Sequence, residues 1–371
     1  MIMVALFTIL SSVSVNAQKF AGIYGPEFSF GSLNGRLNDR NLESFRTHTR
    51  EHLVDKQYPE SRFERFYSSA SRGGLSSPNG WWFTSEIDSG VLEVQMKPMK
   101  AGTFAKHASD IQDAIFTSAA NIDLTPLDYL GGGHINLSIS SFDGDALLIR
   151  NFLADYFNHN ELAMGALNYD TNNALPLWLH NVDTIGRVKS IFEFYQFSIA
   201  KGESSDEVLL SAFLSSLGGV RENANDIFSN RWGNRGPRGK STDISLIEAK
   251  ENRLEIRAVR PQKSIYRWIK QIELIDARIN YLKTKMTAIP LAPLVPIIPE
   301  RSEFKHNYHL NPPVDPQLAL RSFYNYITES GLKWADYKED VWPRWQTEGE
   351  VAKFEASEWF QQRSKSCGNL L

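Results

Sequence analysis

The stretch GGGHINLS, Gly131 to Ser138, decides how the fold of this 371-residue chain is interpreted. After three glycines, polar and apolar residues alternate, with His134 and Asn136 on one side and Ile135 and Leu137 on the other. Because successive side chains of a strand point to opposite faces of a sheet, the alternation predicts a strand with one polar face. That face is either the solvated side of an ordinary sheet or the floor of a site.

Three other stretches alternate in the same way. In PEFSF, Glu27 shares a face with a serine and opposes two phenylalanines, and in VLEVQMK, Glu93 opposes a leucine and a valine. In RLEIRAV, Arg253, Glu255 and Arg257 share one face. If the four strands form one sheet, their polar sides gather four potential metal ligands on one surface. These predicted ligands are Glu27, Glu93, His134 and Glu255.

The chemistry of such a surface follows from its charges. Three carboxylates held close together repel one another unless a cation lies between them or one of them is protonated. Carboxylates with a single imidazole suit Mg²⁺ or Mn²⁺ better than zinc, because hard cations prefer oxygen ligands. Arginines beside bound metals stabilise charge during phosphoryl transfer. The pattern therefore indicates metal-assisted chemistry on phosphates.

Each residue also has a plainer interpretation. A sheet with one wet face shows this alternation without any function, and single histidines are common on sheets. Glu255 lies between two arginines and could belong to a surface ion-pair ladder, which would contribute little stability. Glu27 follows Gly-Pro and could be a turn residue. The metal-site hypothesis depends on the four residues together and on their order.

The rest of the chain predicts an α+β fold with an antiparallel or mixed sheet, because strands are separated by helices and two strands form a hairpin around Asp88 to Gly90. Loops are predicted at 68–80 and at the Gly- and Arg-rich segment 229–241. Strands are predicted at 20–31, within 81–98 and at 253–259, and helices at 37–55, 103–121, 145–157, twice within 183–217, at 262–285 and near the C-terminus.

The order of the polar strands resembles the glutamine synthetase-like superfamily of carboxylate–amine ligases, which includes glutamate–cysteine ligases and amidoligases. The stretch GPEFSF is similar to the G-x-E-x-E pattern of that family, with Glu27 at the first acidic position and Ser29 at the second. VLEVQMKP is similar to L-E-x-x-x-P, which places Glu93 at a metal position. GGGHINLS is similar to a Gly-rich H-x-H-x-S, with Asn136 replacing the second histidine. Residues 253–257 match R-x-E-x-R in full.

The resemblance implies a glutamine synthetase-like sheet with one polar catalytic face, backed by helices. It also implies ATP and Mg²⁺ or Mn²⁺ as cofactors, and amide formation through an acyl-phosphate. The metal-binding positions of the family correspond to Glu27, Glu93, His134 and Glu255 of this chain. Its nucleotide contacts correspond to Asn136, Ser138, Arg253 and Arg257. A basic loop, Asn234-Arg235 followed by Arg238 and Lys240, resembles the loop that contacts phosphate, so the implied catalytic residues are Arg235, Lys240 and Arg257.

Two alternatives to a working ligase remain open. One is a degenerate member of the same fold that binds a ligand without turnover, since Ser29 and Asn136 depart from the family pattern. The other is a metal-dependent hydrolase that uses the same four ligands to activate water. For the ligase, the expected partners are a small-molecule or peptide carboxylate and an amine. The sequence does not indicate the oligomeric state.

Composition and the N-terminus bear on location. Residues 1–17 resemble a signal peptide ending at Ala17, without a basic residue before the apolar run, and predict an exported, periplasmic or secreted protein. That run is too short for a stable membrane span. A net charge of -3 does not suggest nucleic-acid binding, and a single cysteine, Cys367, excludes an intramolecular disulfide. The predicted divisions are a catalytic domain at 18–285, a proline-rich extended segment at 286–315 and a C-terminal helical extension at 316–371.

Overall fold

The computed structural model describes most of the chain, with gaps. The described residues are 22–55, 63–64, 73–76, 82–88, 90–127, 133–159, 174–175, 182–201, 213, 243–244, 247–250, 253–256, 259, 262–292, 315–341 and 343–367. The predicted signal peptide at 1–17 and the basic loop at 229–241 lie outside them.

An antiparallel sheet is the centre of the fold. In chain order its strands are β1 (Ile23–Phe30), β2 (Phe63–Glu64), β3 (Gly73–Ser76), β4 (Trp82–Asp88), β5 (Val91–Met96), β6 (Met99–Lys100), β7 (Ile135–Ser138), β10 (Ile247–Lys250) and β11 (Arg253–Ile256), while β8 (Ala174–Leu175) and β9 (Asp243–Ile244) form a separate parallel pair. Six strands make up the main sheet, in the order β10-β11-β7-β1-β5-β4. The strands β3 and β2 extend it beyond β4, and β6 pairs with one end of β1.

Helices cover the apolar face of this sheet, so the predicted α+β class is confirmed. The helices of the described ranges are α1 (Asp39–Asp55), α2 (Ala101–Lys106), α3 (Ala108–Ile111), α4 (Ser118–Ala120), α5 (Ala146–Asn158), α6 (Val182–Lys201), α7 (Ile265–Leu282), α8 (Pro316–Glu329), α9 (Trp334–Tyr337), α10 (Pro343–Thr347), α11 (Glu350–Ala356) and α12 (Glu358–Cys367). None of these is long and apolar enough to cross a membrane.

Aromatic rings join the sheet to its helices. Phe28 of β1 meets Phe116 edge to face, with ring centroids 4.9 Å apart, and also meets Trp268 of α7. Trp268 in turn lies 4.7 Å from Phe104 of α2. All four rings are buried. Edge-to-face pairs add to the free energy of apolar burial, so these contacts fix α7 across the back of the central strand.

The helix predicted over 103–121 is interrupted. Between α3 and α4 the chain forms a π-helical turn at Gln112–Thr117. There, the side-chain oxygen of Gln112 accepts the N–H of Ile265, the first residue of α7, and the carbonyl of Ala114 accepts the Thr49 hydroxyl of α1. Residues of this turn thus make hydrogen bonds to α7 and α1. The apolar periodicity of the sequence does not predict these contacts.

Other differences from the predicted elements are local. The predicted loop at 68–80 contains strand β3, which pairs with β4, so that part of the prediction is wrong. Its residues, Gly73 to Ser76, carry little side-chain pattern of their own, and the strand exists because β4 offers a free edge. The first helix predicted within 183–217 is α6, and most of the second lies outside the described residues.

Side-chain amides hold the start of the proline-rich segment. Asn151 of α5 donates to the Thr287 carbonyl and accepts the Ile289 N–H, at 3.0 and 2.9 Å. Two helical turns further along α5, Asn158 donates to the Pro290 carbonyl and accepts the Ala292 N–H. Residues 285–292 have no regular secondary structure, as predicted for this segment, and the part of it from 293 onwards lies outside the described residues.

The C-terminal helices pack against α7. Buried Trp334 and Tyr324 lie within an aromatic cluster with Phe354 and Phe360. Trp334 and Trp345 are both buried and belong to the core of this region. The Tyr337 hydroxyl also donates to the Lys270 carbonyl of α7. A continuous layer of contacts therefore connects these helices to the sheet.

Candidate metal site

The four strands with alternating polar residues are neighbours in the sheet, in the order β11-β7-β1-β5. Residues directly opposite each other in an antiparallel pair lie on the same face. The register pairs Glu255 with Asn136, Asn136 with Gly25, and Ser29 with Glu93. The predicted polar residues therefore share one face of four adjacent strands.

Glu27 and His134 lie side by side at the centre of that face. The Glu27 N–H donates to the His134 carbonyl at 3.0 Å, which continues the ladder between β1 and β7 by one residue beyond the strand end. The next residue back, Gly133, donates to the Val259 carbonyl on the opposite side. Backbone hydrogen bonds to both neighbours thus fix where the imidazole leaves the chain.

Glu27, His134 and Glu255 form a compact group. His134 Nδ1 lies 2.9 Å from Glu27 Oε1 and 3.4 Å from Glu255 Oε1. Each residue offers one ligand atom, and the three atoms lie within 4.8 Å of one another. The residues are 9%, 4% and 2% exposed, respectively. Two buried carboxylates around one imidazole form a set that could hold a divalent cation, and the oxygen-rich chemistry fits a hard one.

This geometry decides between the interpretations of two residues. Glu27 lies inside strand β1, so it is not a turn residue. Glu255 is buried, and its nearest described cation, Arg253, is 4.0 Å away, further than the imidazole of His134. Glu255 is therefore not part of a solvated ion-pair ladder.

Glu93 lies on the same face but outside the group of three. It is opposite Ser29, one row along the strands from Glu27, and it is half-buried. On its other side the register pairs it with Glu86 of β4. Directly opposed carboxylates repel each other, and Glu93 and Glu86 form a separate acidic row beside the group of three. The prediction of Glu93 as a metal ligand stays a prediction.

The sequence reasoning missed Glu86. The stretch WFTSEID alternates as the other four do, with Thr84 and Glu86 on one face, so the same signal was present. The prediction of a hairpin around Asp88 to Gly90 does not use that alternation.

The predicted nucleotide contacts lie at the edge of the group nearest β11. Arg253 is exposed and pairs in register with Ser138. The Ser138 hydroxyl contacts the Ser140 hydroxyl at 2.8 Å and accepts the Ser140 N–H, which caps the short 3₁₀ turn that follows β7. Ser138 therefore has a local structural role. The other predicted phosphate and catalytic residues, Arg235, Lys240 and Arg257, lie outside the described residues.

Asn136 borders the group on the strand that also carries His134. Its Nδ2 donates to the Gly25 carbonyl of β1 at 3.2 Å. A side chain at position 25 would press on Pro98, since an added Cβ would lie 3.3 Å from Pro98 Cγ and 3.6 Å from Asn136 Cβ. The glycine thus leaves room for Asn136 beside the cluster.

No protein-family model matches the chain, and a search of curated proteins gave no significant match. The resemblance to carboxylate–amine ligases therefore rests on the order of the sequence motifs alone.

Proposed function

We propose that the protein is an ATP- and divalent-metal-dependent carboxylate–amine ligase with a glutamine synthetase-like fold. The observation that carries this proposal is the convergence of Glu27, His134 and Glu255 on one face of an antiparallel sheet. These residues come from three motifs that are far apart in the chain and occur in the order expected for that superfamily. An alternation without function does not require the three ligand atoms to meet.

Glu27, His134 and Glu255 would hold Mg²⁺ or Mn²⁺. A cation bound there would supply positive charge that stabilises a phosphoryl group during its transfer. Helices cover the apolar back of the central strands, so the ligands are held on rigid strands and keep their spacing. Glu93, one row away, would supply a further carboxylate at the same face.

The basic residues would handle phosphate and substrate. Arg253, whose partly exposed guanidinium lies 4.0 Å from the Glu255 carboxylate, would contact a nucleotide phosphate together with Ser138. We assign Arg235, Lys240 and Arg257 to the transferring phosphoryl group and the substrate carboxylate, because guanidinium groups bind such anions with two hydrogen bonds and the lysine ammonium adds a positive charge. ATP would give its terminal phosphoryl group to the substrate carboxylate and leave as ADP. Attack of the amine on the acyl carbon would then break the bond to phosphate, releasing phosphate and a proton and forming the amide.

Nucleotide binding tests this proposal. We expect MgATP or MnATP at millimolar concentration to raise the melting temperature of the wild-type protein. The Glu255→Gln variant removes one ligand charge and should lose that increase. Glu86→Gln, which removes a charge from the same face outside the group, is the matched control and should retain it. A folded wild-type protein that shows no increase would contradict the proposal.

Turnover separates the ligase from the two alternatives. A ligase releases ADP and phosphate only when a carboxylate and an amine are both supplied. A protein that binds MgATP without any release under those conditions is a ligand-binding member of the fold. Metal-dependent hydrolysis without ATP would identify the hydrolase, for which a three-ligand site with open coordination positions is also suited.

A further inference from the structure

We propose that the amide oxygen of Asn136 is a fourth protein ligand of the cation held by Glu27, His134 and Glu255. This inference rests on the metal site of the proposed function, but not on ATP or on amide formation. It assigns Asn136 a role that differs from the nucleotide contact implied by the family resemblance.

The position of Asn136 in the sheet is the first argument. His134 lies two residues before it on the same strand and therefore on the same face. Glu255 is directly opposite on β11. Glu27 is its diagonal neighbour on β1, two residues beyond the directly opposite Gly25. Each member of the group is thus an immediate neighbour of Asn136 on one face.

The orientation of the amide is the second argument. The Gly25 carbonyl can only accept a hydrogen bond, so the atom that lies 3.2 Å from it must be the NH₂ group of Asn136. This contact assigns the two ends of the amide, which geometry alone often leaves ambiguous. The oxygen Oδ1 is then the end directed away from the Gly25 carbonyl.

The state of that oxygen is the third argument. Oδ1 is buried from solvent, and it has no hydrogen-bond partner in the described part of the chain. A buried acceptor left without a donor loses its hydration without compensation, so such an atom calls for an explanation. A cation bound by the neighbouring carboxylates and imidazole would satisfy it, since amide oxygens are ordinary ligands of hard cations.

The inferred ligand set has a consequence for metal choice. With Asn136, the protein supplies three oxygens and one nitrogen. Such a set favours Mg²⁺ and Mn²⁺, whereas zinc sites more often contain several nitrogen or sulfur ligands. Replacing the amide by an imidazole would move the set towards zinc.

Metal titration tests the inference. Mn²⁺ binding is measured by the loss of the free-ion signal in electron paramagnetic resonance, without nucleotide. We expect Asn136→Leu to lower the Mn²⁺ affinity at least about tenfold, because the side chain keeps its size but loses its oxygen. Asn136→Asp should raise the affinity, since it adds a charged oxygen. Asn136→His should raise the preference for Zn²⁺ over Mn²⁺ in competition.

The matched control is Gln95→Leu. Gln95 is the exposed amide directly opposite Glu27 on the other neighbouring strand, β5. Its replacement should leave the Mn²⁺ affinity unchanged. Circular dichroism of each variant shows whether it folds. If Asn136→Leu does not fold, Asn136→Asp decides, and an unchanged or weaker affinity of that variant overturns the inference.

The outcomes distinguish this inference from the proposed function. If the wild type and Asn136→Leu bind Mn²⁺ equally tightly, Asn136 is not a ligand, and the site of Glu27, His134 and Glu255 still stands. Wild-type protein that binds no Mn²⁺ would overturn both. If Asn136→Leu binds Mn²⁺ normally but loses the thermal shift with MnATP, Asn136 contacts the nucleotide and not the cation.

Discussion

At the scale of single residues, the imidazole of His134 between two buried carboxylates is the feature with the clearest consequence. Burying charge is costly unless it is paired, and the carboxylates of Glu27 and Glu255, which both approach His134 Nδ1, stand in opposition to each other as like charges. A divalent cation relieves that opposition in the folded chain, whereas the unfolded chain does not hold the three ligands together. Metal binding is therefore expected to stabilise the fold.

The size of this stabilisation depends on the ratio of the free metal concentration to the Kd. At a free Mn²⁺ concentration about 100 times the Kd, a single site adds about 2.7 kcal/mol to the free energy of unfolding. We expect MnCl₂ to raise the wild-type melting temperature and EDTA to reverse the increase. Glu255→Gln should show neither change, and Glu86→Gln should show both. Equal responses of wild type and Glu255→Gln would contradict a site at this group.

Two glycines give a second prediction at this scale. The Gly22 N–H donates to Asp276 Oδ1, and an added Cβ would lie 2.6 Å from that oxygen and 2.5 Å from the ring of Tyr24. Gly22→Ala should thus destabilise the protein, by about 1–3 kcal/mol, the usual cost of overpacking. By contrast, Gly186 lies in helix α6 with no atom near its Cβ position. Gly186→Ala should stabilise the protein by roughly 0.5–1 kcal/mol.

Urea unfolding of the two glycine variants measures both effects. If Gly22→Ala is as stable as the wild type, the chain at Gly22 does not lie as close to Asp276 of α7 as described. If Gly186→Ala is less stable, its helix has another constraint.

At the scale of elements, one buried ion pair connects α5 to α7. Arg278 donates two hydrogen bonds to Asp155, at 2.6 and 2.8 Å, and a third to Glu329 of α8. Burial alone would raise the pKa of Asp155, but the hydrogen bonds from Arg278 and His159 outweigh it and lower the pKa below its ordinary value of 3.8. The three helices are thus held by a single guanidinium.

The pH dependence of this contact follows from the sign of the shift. Because the folded pKa is depressed, the pair stabilises the protein above pH 3.8, and this stabilisation is lost as the pH falls through the lower folded value. Asp155→Asn should cost roughly 3 kcal/mol at neutral pH, since it leaves Arg278 buried with less charge compensation. The difference from wild type should shrink as the pH falls below 3.8.

The control for this contact is Glu329→Gln. The Glu329 side chain is 41% exposed, so its ion pair is expected to contribute less than about 1 kcal/mol. Urea titrations at neutral and acidic pH compare the two variants. A constant difference between Asp155→Asn and wild type at all pH values would contradict the assigned role.

Period-two alternation predicted much of the sheet and of the site. It identified the polar faces of β1, β5, β7 and β11, which are indeed neighbours, and it selected Glu27, His134 and Glu255. It did not predict their burial, because an alternating pattern is also typical of a wet face. Burial here comes from neighbours that the local pattern does not contain.

Contacts over long sequence distances account for what the sequence did not show. The π-helical turn at Gln112 and the amide pairs at Asn151 and Asn158 depend on partners more than 60 residues away. Arg150 is a buried guanidinium whose described hydrogen-bond partners are all neutral oxygens, one of them the carbonyl of Ile289, 139 residues away. Burial lowers its pKa, because the charged form loses hydration. No local periodicity encodes such pairings.

At the scale of the whole molecule, the C-terminal helices are expected to be integral to the fold. Residues of α8 and α9 cover α7 through Arg278 and Lys270, and their aromatic cluster is buried. Removing 316–371 would expose this apolar surface. We expect the truncated chain to lose the cooperative urea transition of the full chain and to aggregate. A truncated protein with an unchanged transition would show that residues 316–371 are an independent extension.

The contact of β1 with α7 also bears on how the chain is made. The hydroxyl of Tyr24 and the N–H of Gly22 reach Asp276, and the Gly22 contact spans 254 residues. At a synthesis rate of about 5–20 residues per second, the ribosome needs roughly 13–50 s to produce the helix that completes this contact. During that interval the central strand emerges without its partner and exposes its phenylalanines. The nascent chain is therefore expected to bind chaperones. It should stay incompletely folded until most of its length has been translated.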